Sequence, residues 1–405
     1  MGWLSRLFGL EDRKSSALEE MMRSGGSSGS GVAVNWKSSL QVTTVLACCR
    51  VIAEGVSQVP WKVYGEGSAR REAVDNPVYD LLYRRPNPWQ TSFEFRETIM
   101  FHVILTGNAY IHKLRVGSAR RLASLEIFEP QNVQVQREPD GRIRYFASSG
   151  NGSRQEIPAA DMWHIRGPSW NTWEGLEAVK LAREAIGLSI ATEAAHADMH
   201  RNGARVGGSY SVQDKIGQEK FEQLAKWLDR HSQGGDRAGK PVILDGGAKF
   251  EAGQMTGVDS QHLETRKHQI EEICRALRVM PIMVGLSDKT ATYASAEQMF
   301  LAHVVHTLLP WYERLEQSAD INLLTDQDRA NGLYTKFNPN ALMRGAAKDR
   351  GEFYAKALGA GGTPAWMTQD EVRGLEEMQP MGGKAAELNM GSQNQAAPPS
   401  PIKEE

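Results

Sequence analysis

The chain of 405 residues predicts an α+β protein, strand-rich in its first part and built on long helices thereafter. Three observations predict it. Residues 122–166 alternate apolar and polar side chains between turn signals, the period of half-buried strands. Three later stretches, about 176–202, 258–279 and 296–324, place apolar residues at helical spacing. A glycine-marked insert separates the first two of them. Hydrophobic content of 40% and charged content of 24% match a globular chain, and no run of eighteen apolar residues offers a transmembrane helix.

At the N-terminus, Trp3, Leu4, Leu7 and Phe8 share one helical face, which suits a membrane surface or a docking partner. Glu11 and Asp12 cut the apolar stretch too short for a signal peptide. Residues 24–31, SGGSSGSG, read as a linker, so order is expected from Val32. Leu40, Thr44, Ala47, Val51 and Val56 predict a helix that stops before Pro60, and Trp61–Tyr64 a short strand. Helix is expected over 77–112, opened by Pro77, broken by the PNP at 86–88 and capped again by Ser92. In the strand region the alternation is carried by Val133 and Val135, Ile143 and Tyr145, and Trp163 and Ile165.

The helix over 176–202 would span ~40 Å. It carries two apolar stripes, Val179, Ile186, Ile190 and Ala197 on one side, and Leu181, Ala185, Leu188, Ala195 and Met199 on the other. A helix on one core needs one stripe, so two suit neighbours on both sides. In the insert, 214–232 predicts an amphipathic helix and 241–244 a strand. The helix over 258–279 carries Leu263, Ile270, Ile273 and Leu277 on one side and an i,i+4 pair, Glu271–Arg275, on the other. Residues 285–295, GLSDKTATYAS, form a polar connection longer than most helix–helix loops. Pro310 is expected to kink the helix over 296–324. A return strand at 333–337 and helices near 344–358 and 368–378 follow, and the polar, proline-rich 384–405 reads as a disordered tail.

The sequence carries no Walker A loop, no paired CxxC and no HExxH, which removes the usual footing for nucleotide or zinc-dependent hydrolysis. The G-x-S-x-G at 25–29 lies in the linker and not at a strand–helix elbow. Glu193, His196 and His200 share a helix face, yet the second Glu-x-x-His of a di-metal site is missing, so a polar subunit-facing surface is the favoured reading. His303 and His306 read as buried or interface histidines, and Asp161 could pair with His164 but has no nucleophile beside it. The three cysteines form no disulfide framework; adjacent Cys48 and Cys49 read as small buried thiols. No enzyme activity, metal or cofactor is expected. A hydrolase or nuclease with an unrecognised site, and a peripheral membrane adaptor using residues 3–8, stand as alternatives.

Taken in order, the motifs resemble those of the portal proteins of long-tailed double-stranded-DNA bacteriophages. They run from an N-terminal GWLSRLFG through Arg85-Pro86-Asn87-Pro88 with Thr91 and Phe93, Gly107-Asn108-Ala109-Tyr110, Pro130-Gln131-Asn132-Val133, His164-Ile165 and Gly175 to Arg201-Asn202-Gly203-Ala204. Glu272-Ile273 with Val279 and Pro281, Tyr293, Ser295, Glu297 and Gln298, Leu309-Pro310, Phe337-Asn338, Leu342-Met343-Arg344 and Glu371-Val372-Arg373 continue the series. Met280, and Leu176-Glu177 after Gly175, depart from it.

The resemblance implies the portal fold and its regions: a flexible segment 1–31, a wing 32–175, a first stem helix 176–202, a second stem helix with its connection 258–284, and a clip 203–257 between them. It further implies a tunnel loop 285–295, a kinked helix 296–325, a wing return 326–343 and a crown 344–383. Implied with it are a ring of about twelve subunits at one capsid vertex, duplex DNA passing through, and the terminase large subunit, a head–tail adaptor and the major capsid protein as partners. Ser287, Lys289, Thr290, Thr292 and Tyr293 become the candidates for channel contact. The net charge of -2 fits this use. Many Lys/Arg–phosphate contacts would hold a duplex in place, whereas a pore must let it slide.

Overall fold

The structure is a computed structural model that describes residues 28–65, 71–148, 153–201, 208–211, 249–252, 258–286, 293–338, 347–360, 364–376 and 378–388, with isolated positions between 217 and 226. It divides into two units, 1–337 and 338–405. Among the described residues no helix is long and apolar enough to cross a membrane.

The first unit opens with helix α1 (Thr43–Ser57), which buries Val45, Cys48, Cys49, Ile52 and Val56. Strands β1 (Trp61–Gly65) and β2 (Arg71–Glu72) follow, then α2 (Pro77–Tyr83) and α3 (Ser92–Thr106). The predicted cap of α3 moves by one residue. Thr91 accepts from the Glu94 amide while the Glu94 carboxylate accepts from the Thr91 amide, a reciprocal capping box. Ser92 instead donates to the Tyr83 carbonyl. The helix also ends sooner than its apolar pattern suggests. Gly107 takes a left-handed φ of 77° and stops it, so Asn108–Val116 is strand β3 and not helix.

Strands β4 (Arg121–Phe128), β5 (Val133–Arg137), β6 (Ile143–Ser148), β7 (Arg154–Ile157) and β8 (Met162–Arg166) complete the predicted strand region. They build two antiparallel sheets, ordered β4-β3-β8 and β5-β6-β7. Tyr110, Tyr145, Ala147, Ile157 and Met162 close a core with Phe128, Val133, Val135 and Ile143 from both. The PNP motif ties the α2–α3 connection to β4. Buried Asn87 donates to the Leu125 carbonyl (3.0 Å) and accepts from the amides of Trp89 and Gln90, while Leu125 donates to the Pro86 carbonyl.

After a short helical turn (Ala178–Leu181), helix α4 spans Arg183–Arg201. The break at Ala182 divides what the periodicity reads as one helix. Strands β9 (Gly208–Ser211) and β10 (Lys249–Ala252) pair antiparallel. The predicted strand at 241–244, and most of the helix predicted at 214–232, lie outside the described residues. Helix α5 (Val258–Leu277) packs on α4 and α1, with Gln269 donating to Thr192 (3.3 Å). Its arginine pair is Arg275–Glu272, one step short of the expected Glu271–Arg275. The free thiols of Cys48 on α1 and Cys274 on α5 face each other at 3.8 Å.

Helix α6 (Tyr293–His303), a π-helical stretch (Val304–Leu308) and α7 (Leu309–Asn322) then run in succession. Strand β11 (Leu333–Phe337) pairs with β1 from Trp61↔Phe337 to Gly65↔Leu333, giving a sheet ordered β11-β1-β2. Its outer edge does not stay open. Asp320 and Glu316, one turn apart on α7, accept from the amides of Thr335 (2.7 Å) and Phe337 (2.8 Å). Carboxylates thus satisfy backbone donors that a neighbouring strand would otherwise take. Trp61 stacks on Phe337 at 4.6 Å beneath them.

The second unit holds α8 (Ala347–Ala357) and α9 (Gln369–Leu375). Thr368 and Glu371 cap α9 reciprocally, and Tyr354 donates to Glu376 (2.6 Å). Phe353 meets Trp366 edge-on at 5.3 Å, and both stay about half exposed.

Candidate functional site

Of the five channel residues read from the sequence, Ser287, Lys289, Thr290 and Thr292 lie outside the described residues, and Tyr293 is described only as the first residue of α6. What is described is how both ends of that connection are held.

At its first end, α5 stops in a Schellman motif with Arg278 in the left-handed position (φ 56°): Arg278 donates to the Arg275 carbonyl and Val279 to that of Cys274. An arginine there costs about 1–2 kcal/mol against a right-handed residue. Met280 and a 3₁₀ turn (Pro281–Val284) follow, and the same pattern repeats: Gly285 (φ 87°) donates to Ile282 and Leu286 to Pro281. Two left-handed caps in eight residues therefore aim the chain out of α5.

At its second end stands the kinked helix. The disruption that Pro310 causes is a π turn on its N-terminal side, where the Leu309 amide reaches back five residues to Val304. Proline has no N–H for its own turn, and the wider turn makes room for its ring. Two bonds fix the result. Thr307 donates to the Arg278 carbonyl (2.7 Å), clamping the kink to the cap of α5. Tyr312 donates to the Gly55 carbonyl (2.7 Å), and Leu308 lies so close to Gly55 that a Cβ there would sit 2.9 Å from its Cδ2. The sequence signals Pro310, but the π turn and its clamp on Arg278 are contacts between distant segments.

The motifs that are scattered in sequence meet at the exit toward α4. Asn108 Oδ1 accepts from the Gly175 amide (2.8 Å) and from His164 Nε2 (2.9 Å), and Asn108 Nδ2 donates to the carbonyls of Thr106 (3.0 Å) and Gly175 (3.4 Å). With the proton on Nε2, His164 Nδ1 is left to accept from the Tyr145 hydroxyl (3.3 Å). Burial holds the His164 imidazole down at about 3, with Arg166 adding to the effect, so it is neutral. The backbones pack without side chains: a Cβ on Gly175 would meet the Gly107 carbonyl oxygen at 1.9 Å, and one on Gly107 the Leu176 oxygen at 2.5 Å. His164 does not pair with Asp161, as the sequence allowed. Asp161 takes Arg120 (2.6 Å) and Arg115 (3.5 Å) instead, while His164 points into the core.

The two stripes of the 176–202 stretch have different fates. Val179 and Ile186 are 2% exposed. Leu181 and Leu188 are 46% and 47% exposed. A second exposed apolar row, Leu301, Val305 and Leu309, runs along the kinked helix. His303 is buried and His306 exposed. Glu193 and His196 lie on α4, the side chain of His200 lies outside what is described, and among the described residues no three His, Cys, Asp or Glu side chains come together as a metal site.

The family model of phage portal proteins matches residues 43–377. The portal protein of Enterobacteria phage HK97 is 27% identical over 354 residues, covering 86% of this chain and 82% of its own. A chain in the neck of an empty gene transfer agent particle, computed with C6 symmetry, is 25% identical with a TM-score of 0.56, covering 83% of this chain and 90% of its own. A chain in the native particle's neck, computed with C12 symmetry, shares the fold at 22% identity and a TM-score of 0.55, covering 85% and 92%. With the latch of Asn108, His164 and Gly175 built from the motifs that carried the resemblance, the chain belongs to the phage portal protein family and is a structural portal protein.

Proposed function

We propose that about twelve copies close into a ring at one vertex of a capsid, through which double-stranded DNA enters during packaging and leaves at ejection. The exposed apolar surface of a single copy carries this reading. A closed ring needs two different, complementary faces on each subunit. Leu181 on the turn before α4 and Leu188 on α4, with Leu301, Val305 and Leu309 along the kinked helix, supply such a pair. Residues 32–175 and 326–343 serve as wing, α4 and α5 as stem, 203–257 as clip, and 344–383 as crown. The terminase large subunit and the head–tail adaptor dock on the clip, the major capsid protein surrounds the ring, and assembly takes place in the host cytoplasm. The chain contributes no ATP chemistry.

Residues 285–295 line the narrowest part of the channel, with Ser287, Lys289, Thr290, Thr292 and Tyr293 touching the duplex in passing. The double caps of α5 and the clamped kink support this, because a loop that meets moving DNA needs rigid ends. A carboxylate placed on either face, by Leu188→Glu or Val305→Glu, tests the ring by negative-stain microscopy. Either change should leave monomers with native circular dichroism; rings formed equally well by both variants would refute the assignment.

A further inference from the structure

Three segments far apart in sequence meet at the cap of α5. Tyr312 on the kinked helix donates to the Gly55 carbonyl on α1, and Thr307 on the kinked helix donates to the Arg278 carbonyl in the cap. The third side, α1 against α5, carries a pair of thiols. Cys48 and Cys274, 226 residues apart, hold their Sγ atoms 3.8 Å from each other. Both are free and buried, 0% and 1% exposed. The Cys274 carbonyl accepts from Val279 in the cap, so the pair sits at its foot.

This pairing is not the one adjacency suggests. Cys48 and Cys49 are sequence neighbours, but side chains one apart on a helix diverge by ~100°. Burial pushes the Cys49 thiol up to about 12, which keeps it protonated. The Cys48 S–H, donating to Cys274, favours the Cys274 thiolate and holds that thiol below its ordinary value, while the same bond pushes Cys48 up. Cys274 is therefore the sulfur that reacts first. A small reagent can come near. A cavity of about 350 Å³ is walled by Ile52, one turn after Cys48 on the same face of α1, and by Leu277, three residues after Cys274 on α5.

We propose that Cys48 and Cys274 are an oxidisable pair that closes into a disulfide and locks α1 to the end of α5. With hydrogen peroxide as oxidant, the Cys274 thiolate attacks one peroxide oxygen. The O–O bond breaks, and the departing hydroxide takes up the proton that Cys274 released. The Cys48 sulfur then attacks the sulfenic sulfur of Cys274. The S–S bond forms, the S–O bond breaks, and water leaves with the Cys48 proton. The two thiols lose two electrons, and one peroxide becomes two waters. The sulfurs close by ~1.8 Å to reach the ~2.0 Å of a disulfide. Only the timing rests on the portal reading: the thiols stay reduced in the cytoplasm where the chain assembles and close once the particle is outside it.

The test treats the purified full-length chain with hydrogen peroxide, alkylates the remaining thiols in urea and maps the peptides without reduction. Free thiols should fall from three per chain to one, with Cys48 joined to Cys274 within one chain and Cys49 alkylated. The urea midpoint should rise on oxidation and return when a dithiol reductant is added. Cys49→Ser should form the same bridge and Cys274→Ser none. A Cys48–Cys49 bridge, a bridge between chains, sulfinic acid at Cys274 beside a free Cys48, or three thiols kept under peroxide would overturn the proposal. So would an unchanged or lowered midpoint, because the bridge would then not join α1 to α5 in the native joint. The unsubstituted chain carries both readouts, so a poorly folded variant does not blunt the test. Rings, or their absence, bear on the portal reading and leave this result as it is.

Discussion

Removing one side chain should loosen the joint between the sheets and α4. Asn108→Ala takes away the acceptor shared by the Gly175 amide and His164 Nε2, at 2.8 and 2.9 Å. Gly175 and His164 are buried, so water cannot replace Asn108 without the backbone opening. Each stranded donor costs about 1–3 kcal/mol. The Cβ clearance of 1.9 Å between Gly175 and Gly107 leaves no local slack for a new partner to approach. The expected loss is about 2–4 kcal/mol, summed from two donors with partial relaxation. Urea unfolding followed by tryptophan fluorescence reports it, because Trp163 is buried beside His164. Asn132→Ala, which removes an exposed contact to Glu129, is the control. If Asn108→Ala costs no more than about 0.5 kcal/mol, the ordinary range of surface changes, the latch does not hold the joint.

Three further outcomes are expected. Gly55→Ala should destabilise, because its Cβ would meet Leu308 at 2.9 Å, and Leu308→Ala should relieve part of that cost; a double-mutant cycle should show about 1 kcal/mol of coupling, and additivity would remove the contact from the explanation. Glu316→Ala should strand the Phe337 amide, so hydrogen exchange at Phe337 should accelerate by at least ~tenfold, as about 1–3 kcal/mol of local stability is lost. Acid should destabilise the fold through His164. Its ordinary value is 6.5 and its folded value about 3, so the unfolded chain binds a proton first as pH falls. The stability is complete above pH 6.5 and drains away from there toward pH 3, with His102, held at about 4 by burial, adding to the same slope. His164→Gln should flatten the acid limb of stability against pH, and an unchanged limb would refute the assignment.

The sequence carried the large elements well because their patterns are local. Alternation in β5 and β6 and the helical spacing of α1 and α5 survive in the structure, whereas Met162–Ile165 of β8 are all buried. Boundaries failed where a backbone effect overrode side-chain pattern. Apolar spacing continues past Thr106, yet Gly107 turns left-handed and the same residues alternate as β3. Ser92 and Thr91 are both competent caps, and only the reciprocal bond from Glu94 selects Thr91. The Asp161–His164 pairing was read from their spacing, but the two lie on either side of a strand entry, and Arg120 reaches Asp161 from the β3–β4 turn. The candidate site was legible as a list of motifs without their geometry. That Gly107, Asn108, His164 and Gly175 are one latch follows from contacts up to 67 residues apart, which no local pattern carries.

The most direct measurement is single-particle electron microscopy of the purified full-length chain, alone and with a DNA duplex. Closed rings are expected, with residues 285–295 at the narrowest point of a hole wide enough for the duplex. Particles that stay monomeric under every condition, or rings in which those residues face outward, would contradict the portal role assigned to this chain.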